Sequence, residues 1–339
     1  VTRIGWYVHH HGRGHLGRLL AIAPHLDSEV LCFSSFAEPA GLPANCTWIQ
    51  LDRDDTPEPE TGGPLSSRDP DAGGLLHWAP LLHTGHRRRL TTIATVLEST
   101  PVTAFVVDVS AEVALYVRLL GIPTVLITQP GDRDDDAHSL AFQVATKIIA
   151  PWPGELLRPA HLDAYERVVY VGGISRFDDR PVAPVSRSGI LVLGGAGGTD
   201  VTAASLDAAE TATGHSWSAL GVPGRAGGAW SADPWDDLGR AEIVVSWAGQ
   251  NSVADLAAAN VRAVVIPQTR PFAEQVQTAT AIGRAGLAVV EPSWPTADAW
   301  PGILARARAL TPEWSRWRTA GAAQRAAAEI DATARDSSS

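Results

Sequence analysis

Methionine is absent from the 339-residue chain, lysine occurs once (Lys147), asparagine three times and cysteine twice (Cys32 and Cys46). Two cysteines exclude a disulfide scaffold or a structural zinc site. Cys32 lies in an apolar run and reads as plain core. Scarce lysine beside abundant Ala, Gly and Arg is the mark of a GC-rich coding sequence and carries no functional message. Basic residues are in deficit, 27 Lys and Arg against 37 Asp and Glu. The resulting net charge of −10 argues against nucleic acid as a partner and against a strongly basic membrane clamp. No stretch approaches about 18 uninterrupted apolar residues, and no basic segment followed by an apolar one opens the chain. The expectation is a cytoplasmic protein with neither spanning helix nor secretory signal. With 45% hydrophobic and 19% charged residues, global disorder is excluded, and the length suits two domains of about 170 residues each.

Short β-branched runs alternate with helix-length segments, the grammar of βαβ units. Arg3–Val8, Glu29–Ser35, Thr47–Leu51, Ala104–Val109, Thr124–Gln129, Lys147–Trp152 and Val168–Gly173 read as strands, with helices such as Ala111–Leu120 between them. Prolines and small polar residues interrupt the pattern from Asp179 to Gly189. A second series of strands follows at Gly189–Gly195, His215–Leu220, Glu242–Ala248, Ala263–Gln268 and Leu287–Glu291. The economical reading is α/β, two Rossmann-like domains: an N-terminal one over 1–180, a linker over 181–188, a C-terminal one over 189–311, and a tail over 312–339. The tail is expected to be helical from Pro312 to Arg335, frayed at Ser337–Ser339, and to pack back on the N-terminal domain. Asp52–Gly74, acidic and rich in Pro, Gly and Ser, reads as a solvated surface loop, or as a substrate lid.

Three glycine-rich turns follow strands. His9–Arg18 (HHHGRGHLGR) places Gly12, Gly14 and Gly17 in the G-x-G-x-x-G pattern before a helical run over Leu19–Leu26. A nicotinamide enzyme needs an acidic residue at the end of the next strand. Ser34 and Ser35 stand there instead. Gly194–Thr199 (GGAGGT) offers bare backbone to an anion, or is simply a tight turn. Ser246–Ala259 (SWAGQNSVADLAAA) runs from a strand through Gly249 into a helix beginning near Asn251 or Ser252, whose N–H groups favour an anion. Ser252 and Asp255 have the spacing of a capping pair as the alternative.

With these turns on the page, the sequence resembles the GT-B glycosyltransferases of the family 28 group, that of the lipid II-forming peptidoglycan N-acetylglucosaminyltransferases. The resemblance rests on GRGHLGR, on Leu119–Gly131 (LLGIPTVLITQPG), on GGAGGTD and above all on Ser246–Gln275. It implies a GT-B fold whose two domains face each other across a cleft, the C-terminal one binding a nucleotide-diphosphate sugar and the N-terminal one the acceptor. Carried over by position, Gly195, Ala196, Gly197, Gly198, Gly249, Gln250, Asn251 and Ser252 are implied to cradle the donor diphosphate. Asp255 stands for a family glutamate that holds the ribose, one methylene shorter. Glu274 and Gln275 match residues that hold the donor sugar, and Gly227–Pro234 the base-binding wall, which has no side chain that separates uracil from guanine or thymine. Gly12, Gly14 and Arg18 fall on the acceptor side.

His15 matches the histidine of the family's N-terminal turn. An imidazole there can take the acceptor's proton, or only hydrogen-bond the acceptor or the donor phosphate. Asp108, ending a central strand, is the rival base, or caps the helix beginning near Ala111. Asp134, Asp135 and Asp136 read as a solvated turn rather than metal ligands, and no metal or other cofactor is expected. His77, His83, His86 and Arg87–Arg89 read mainly as a solvated helix face, with Arg88 or Arg89 able to meet an acceptor phosphate. The expected activity is an inverting, metal-independent transfer from a nucleotide-diphosphate sugar, a UDP-sugar by preference. The acceptor, whether lipid-linked, polysaccharide or small molecule, is not specified, and membrane contact is at most peripheral. The competing readings are an NAD(P)-dependent oxidoreductase and a non-catalytic nucleotide-sugar-binding protein.

Overall fold

The computed structural model describes residues 2–56, 69–182, 186–195, 198–225 and 227–337. Most of the loop expected over Asp52–Gly74, the middle of the linker, and Ala196, Gly197, Ser338 and Ser339 therefore lie outside the described residues.

The N-terminal sheet is built of β1 (Arg3–Tyr7), β2 (Glu29–Ser34), β3 (Cys46–Gln50), β4 (Ala104–Asp108), β5 (Thr124–Ile127), β6 (Lys147–Ala150) and β7 (Val168–Tyr170). All its pairs are parallel, in the order β3-β2-β1-β4-β5-β6-β7. Its helices are α1 (Gly14–Ile22), α2 (Thr84–Ser99), α3 (Ala111–Leu119) and α4 (Asp136–Val144). The C-terminal unit has β8 (Ile190–Leu193), β9 (Trp217–Leu220), β10 (Ile243–Ser246), β11 (Arg262–Val265) and β12 (Val289–Val290) in the order β12-β11-β10-β8-β9, again all parallel. Its helices are α5 (Ala203–Thr213), α6 (Trp235–Arg240), α7 (Gln250–Ala258), α8 (Glu274–Arg284) and α9 (Trp300–Ala309), and α10 (Ala322–Asp336) closes the chain.

Alternation along the strands sorts the core onto the two faces of the first sheet. Tyr7, Phe33, Phe105 and Val107 point to the face covered by α2, α3 and α4. Ile4, Trp6, Cys32 and Val106 point to the other, where α1 meets Ala323, Ala327 and Ile330 of α10. The final helix thus completes the core of the first domain. It is not the continuous helix expected from Pro312. Trp314–Trp317 forms a single 3-10 turn, and left-handed backbone at Arg318 (φ 55°) and Gly321 (φ 69°) breaks the chain before α10 begins. The first helix also starts earlier than Leu19, at Gly14, so that His15 and Arg18 lie on it.

In both sheets the carboxyl ends of the strands face one cleft, the place where open parallel sheets bind ligands. The halves touch at its rim. Asn251 Nδ2 donates to the Gly14 carbonyl (3.0 Å), the Asp132 N–H to the Phe272 carbonyl (2.7 Å), and the Gly131 N–H to Gln277 Oε1 (3.1 Å). Gly131 is required here: its φ is 115°, and a Cβ on it would lie 2.2 Å from the Phe272 oxygen.

Candidate active site in the interdomain cleft

Because β4 pairs directly with β1, the end of β4 lies against the first turn of the helix that follows β1. Asp108, the last residue of β4, is fully buried there. His15 and Arg18 are three residues apart on α1 and so share one face. Both reach the Asp108 carboxylate. Arg18 grips it bidentately, Nε to Oδ2 at 2.9 Å and Nη2 to Oδ1 at 2.8 Å, and His15 Nδ1 lies 2.9 Å from Oδ1. Burial pushes the Asp108 carboxyl up, but the charges of Arg18 and His15 outweigh it and hold it well below the ordinary carboxylate range. Nδ1 also lies 3.0 Å from Arg18 Nη2, a donor already committed to Oδ1 at 2.8 Å, and because a lone pair on Nδ1 facing the ionised oxygen at 2.9 Å would be repulsive, the hydrogen is assigned to Nδ1. His15 Nε2 is then the acceptor, and the residue lines the cleft.

This geometry corrects two sequence expectations. Asp108 is not a base open to substrate, since its oxygens are enclosed by Arg18 and His15, nor does it cap α3, a role taken by Ser110 Oγ accepting from the Val113 N–H (3.2 Å). Arg18 is buried rather than offered to an acceptor, and its Nη1 donates to Gln250 Oε1 across the cleft (2.9 Å). Val109, immediately after Asp108, is left-handed at φ 66°, a strained state for a β-branched residue, and it lines the cleft.

Opposite stands the start of α7. Gly249 is extended, no side chain caps the helix, and Gln250, Asn251 and Ser252 line a cavity of 980 Å³ together with Gly12, Gly14, Gly195 and Gly198. The capping pair considered for Ser252 and Asp255 does not form, because Asp255 turns away and accepts from Ser175 Oγ (2.7 Å). Its N–H groups are not capped by a side chain, and with the positive end of the helix dipole they favour an anion. Trp230, Ser231 and Pro234 form a further wall, with the Arg13 guanidinium 5.0 Å from the Trp230 ring centroid.

Three of the expected donor residues carry other bonds in this structure. The second oxygen of Asp255 faces Arg176 at 3.5 Å, and burial pushes this carboxyl up to about 6 against Arg176 and Ser175. Glu274 faces Arg133 (3.4 Å), and Gln275 Oε1 accepts from the Gln268 N–H (3.0 Å). All three still line the cavity.

On the acceptor side the sequence did not single out Arg133 or Tyr7. Arg133 Nη1 donates to His138 Nε2 (2.6 Å), His138 Nδ1 to Asp135 Oδ2 (2.5 Å), and Asp135 Oδ1 meets His77 Nε2 (3.0 Å). Burial lowers His138 to about 4, so it is the neutral link of this chain. Asp135 is thus an imidazole partner and the N-cap of α4, not part of a merely solvated turn. Arg89 is buried, ion-paired with Asp54 and donating to Tyr7 Oη (2.6 Å), and is not free for a phosphate. His83 Nδ1 accepts from the His86 N–H as the N-cap of α2. Tyr7, Asp54, His86 and Arg89 line a second cavity of 240 Å³ behind the histidine turn.

No protein-family model matches the chain, and no curated protein matches it in sequence. Solved structures do match. A glycotransferase of kitacinnamycin superposes with a TM-score of 0.68 at 13% identity, over 98% of this chain and 99% of that one. MurG of Acinetobacter baumannii gives 0.62 at 17%, over 98% and 100%. UGT2 of Phytolacca americana, in complex with UDP-2fluoro-glucose and pterostilbene, gives 0.66 at 14%, over 99% and 100%. Together with the two parallel sheets, these similarities give the fold as GT-B.

Proposed function

We propose that the protein transfers a sugar from a nucleotide-diphosphate sugar, a UDP-sugar in the first instance, to an acceptor hydroxyl. The observation that carries this reading is the His15–Asp108 pair set opposite the uncapped start of α7. His15 Nε2 takes the hydroxyl proton as the acceptor oxygen forms its bond to the anomeric carbon. The bond from that carbon to the diphosphate breaks, its electron pair leaves with the diphosphate oxygen, and attack opposite the leaving group inverts the centre. Asp108 keeps the imidazole in the reactive tautomer and stabilises the imidazolium that forms. The α7 N–H groups, with Gly195 and Gly198, receive the leaving charge, so no metal is assigned to that step.

In this reading Trp230 stacks on the donor base, and Asp255 holds the ribose once it exchanges its bond to Ser175 or Arg176; both line the cavity. The structural neighbour holding UDP-2fluoro-glucose and pterostilbene supports a donor of this class and an aglycone-type acceptor. A nicotinamide enzyme is disfavoured, since at the end of β2 Ser34 Oγ donates to the Val8 carbonyl and Ser35 Oγ to the Asp52 carbonyl, and neither is a carboxylate for a ribose. The test is a thermal-shift and hydrolysis screen over nucleotide sugars and NAD(P). Stabilisation with slow release of nucleoside diphosphate supports transfer. Stabilisation by NAD(P) alone would overturn it, and nucleotide-sugar binding without hydrolysis or transfer to any acceptor would leave a binding protein.

A further inference from the structure

The run His9–His11 holds more imidazole than the proton transfer uses. His10 is buried, with 2% of its side chain exposed, and neither ring nitrogen has a hydrogen-bond partner. Its Nε2 points at the segment that follows β3. There it lies 3.5 Å from Asp55 Oδ2, and His11 Nε2 lies 3.5 Å from the same oxygen. The two imidazole nitrogens and the carboxylate oxygen all fall within 4.8 Å of one another. Asp54 Oδ1, also unpartnered, is 3.5 Å from His10 Nε2.

We propose that His10, His11 and Asp55 bind a divalent first-row transition cation of the zinc class. A separation of 3.5 Å is too long for a hydrogen bond, and a protonated histidine beside a carboxylate would close to about 2.7–2.9 Å. It matches two ligands about 2.0–2.1 Å from one tetrahedral ion, which stand about 3.4 Å apart. Two imidazoles and one carboxylate suit zinc or its neighbours, whereas magnesium and calcium take oxygen ligands. Arg53 donates to both oxygens of Asp55, Nε to Oδ1 (2.9 Å) and Nη2 to Oδ2 (2.5 Å), so Oδ2 would bind the ion through its remaining lone pair while Arg53 fixes the carboxylate's orientation. His10 and His11 also line the 240 Å³ cavity, which leaves room for water in the fourth position.

The second histidine–aspartate cluster, His77, Asp135 and His138, differs. Its imidazole nitrogens are themselves hydrogen-bonded to the Asp135 carboxylate at 2.5–3.0 Å, and Arg133 donates to Nε2 of His138, the nitrogen that must carry the hydrogen if Nδ1 binds a metal. The proposed ion pins the loop after β3 to the turn after β1, a clamp at the edge of the cleft that His11 also lines.

Full-length protein without a histidine tag, stripped with chelator and dialysed, is titrated with Co(II) and Zn(II). The expected result is one Co(II) per chain with visible d–d absorption, displacement by Zn(II), and a raised Tm. Asp55→Asn and His11→Ala each weaken binding more than about ten-fold and abolish the rise in Tm, and UDP affinity is kept in Asp55→Asn, whose side chain does not line the cleft cavity. Asp135→Asn leaves metal binding unchanged. Absence of stoichiometric binding by the wild-type chain overturns the proposal, as does binding that survives both variants or is lost only in Asp135→Asn.

Discussion

Asp108 and His15, 93 residues apart in sequence, meet at 2.9 Å through Oδ1 and Nδ1, and the carboxylate that orients the imidazole is itself locked by Arg18. Arg18 also reaches Gln250 of the other domain. The orientation of the His15 imidazole is therefore tied to the approach of α7.

Replacing Asp108 by Asn keeps the shape but removes the charge that holds Nδ1–H, and it leaves the Arg18 guanidinium buried without its counter-ion. The expected outcome is a fall in kcat of about 10²–10⁴-fold with little change in donor KM, and a lower Tm. Steady-state kinetics with varied donor and a melting curve check both parts.

Trp230→Ala removes a flat wall of the cleft cavity, the proposed donor site, and the partner of Arg13. UDP should bind about 10-fold more weakly, the scale of one lost base–aromatic stack. Titration calorimetry measures this directly, with kcat at saturating donor close to wild type. Adding magnesium should not change UDP affinity, since the diphosphate is assigned to N–H groups.

Asp255 gives a pH signature. Its folded-state pKa, about 6, lies above the ordinary 3.8, so the stability contributed by the protonated carboxyl is full below about pH 4 and is lost as pH rises through 6. Asp255→Asn, which can still accept from Ser175, should melt higher than wild type at pH 8. The gap should close as pH falls toward 4. A constant gap from pH 4.5 to 8 would mean that Asp255 titrates normally.

The fold was legible because each strand is a short β-branched run bounded by turn residues, as in Ala104–Val109 before Ser110 and Thr124–Gln129 before Pro130. The break before α10 was not, since Ala-rich composition favours helix throughout and Arg318 gives no sign of its left-handed backbone. Within the site, His15 and Asp108 were each visible as chemistry but read as rivals. Only the pairing of β1 with β4 makes them neighbours. Arg18 and Arg89 misled for a common reason: an arginine in a polar stretch reads as solvated, and its burial depends on a carboxylate, Asp108 or Asp54, supplied from far along the chain. The same distance hid Asp55 from the histidine turn.

In the proposed transfer His15 removes the acceptor proton. This step is tested most directly by His15→Ala, measured for kcat with both substrates saturating and for UDP binding by calorimetry on the same preparation. The expected result is a kcat lower by about 10²–10⁴-fold with UDP affinity unchanged, because the donor contacts are assigned chiefly to the C-terminal half. A near-wild-type kcat at saturating acceptor would contradict it.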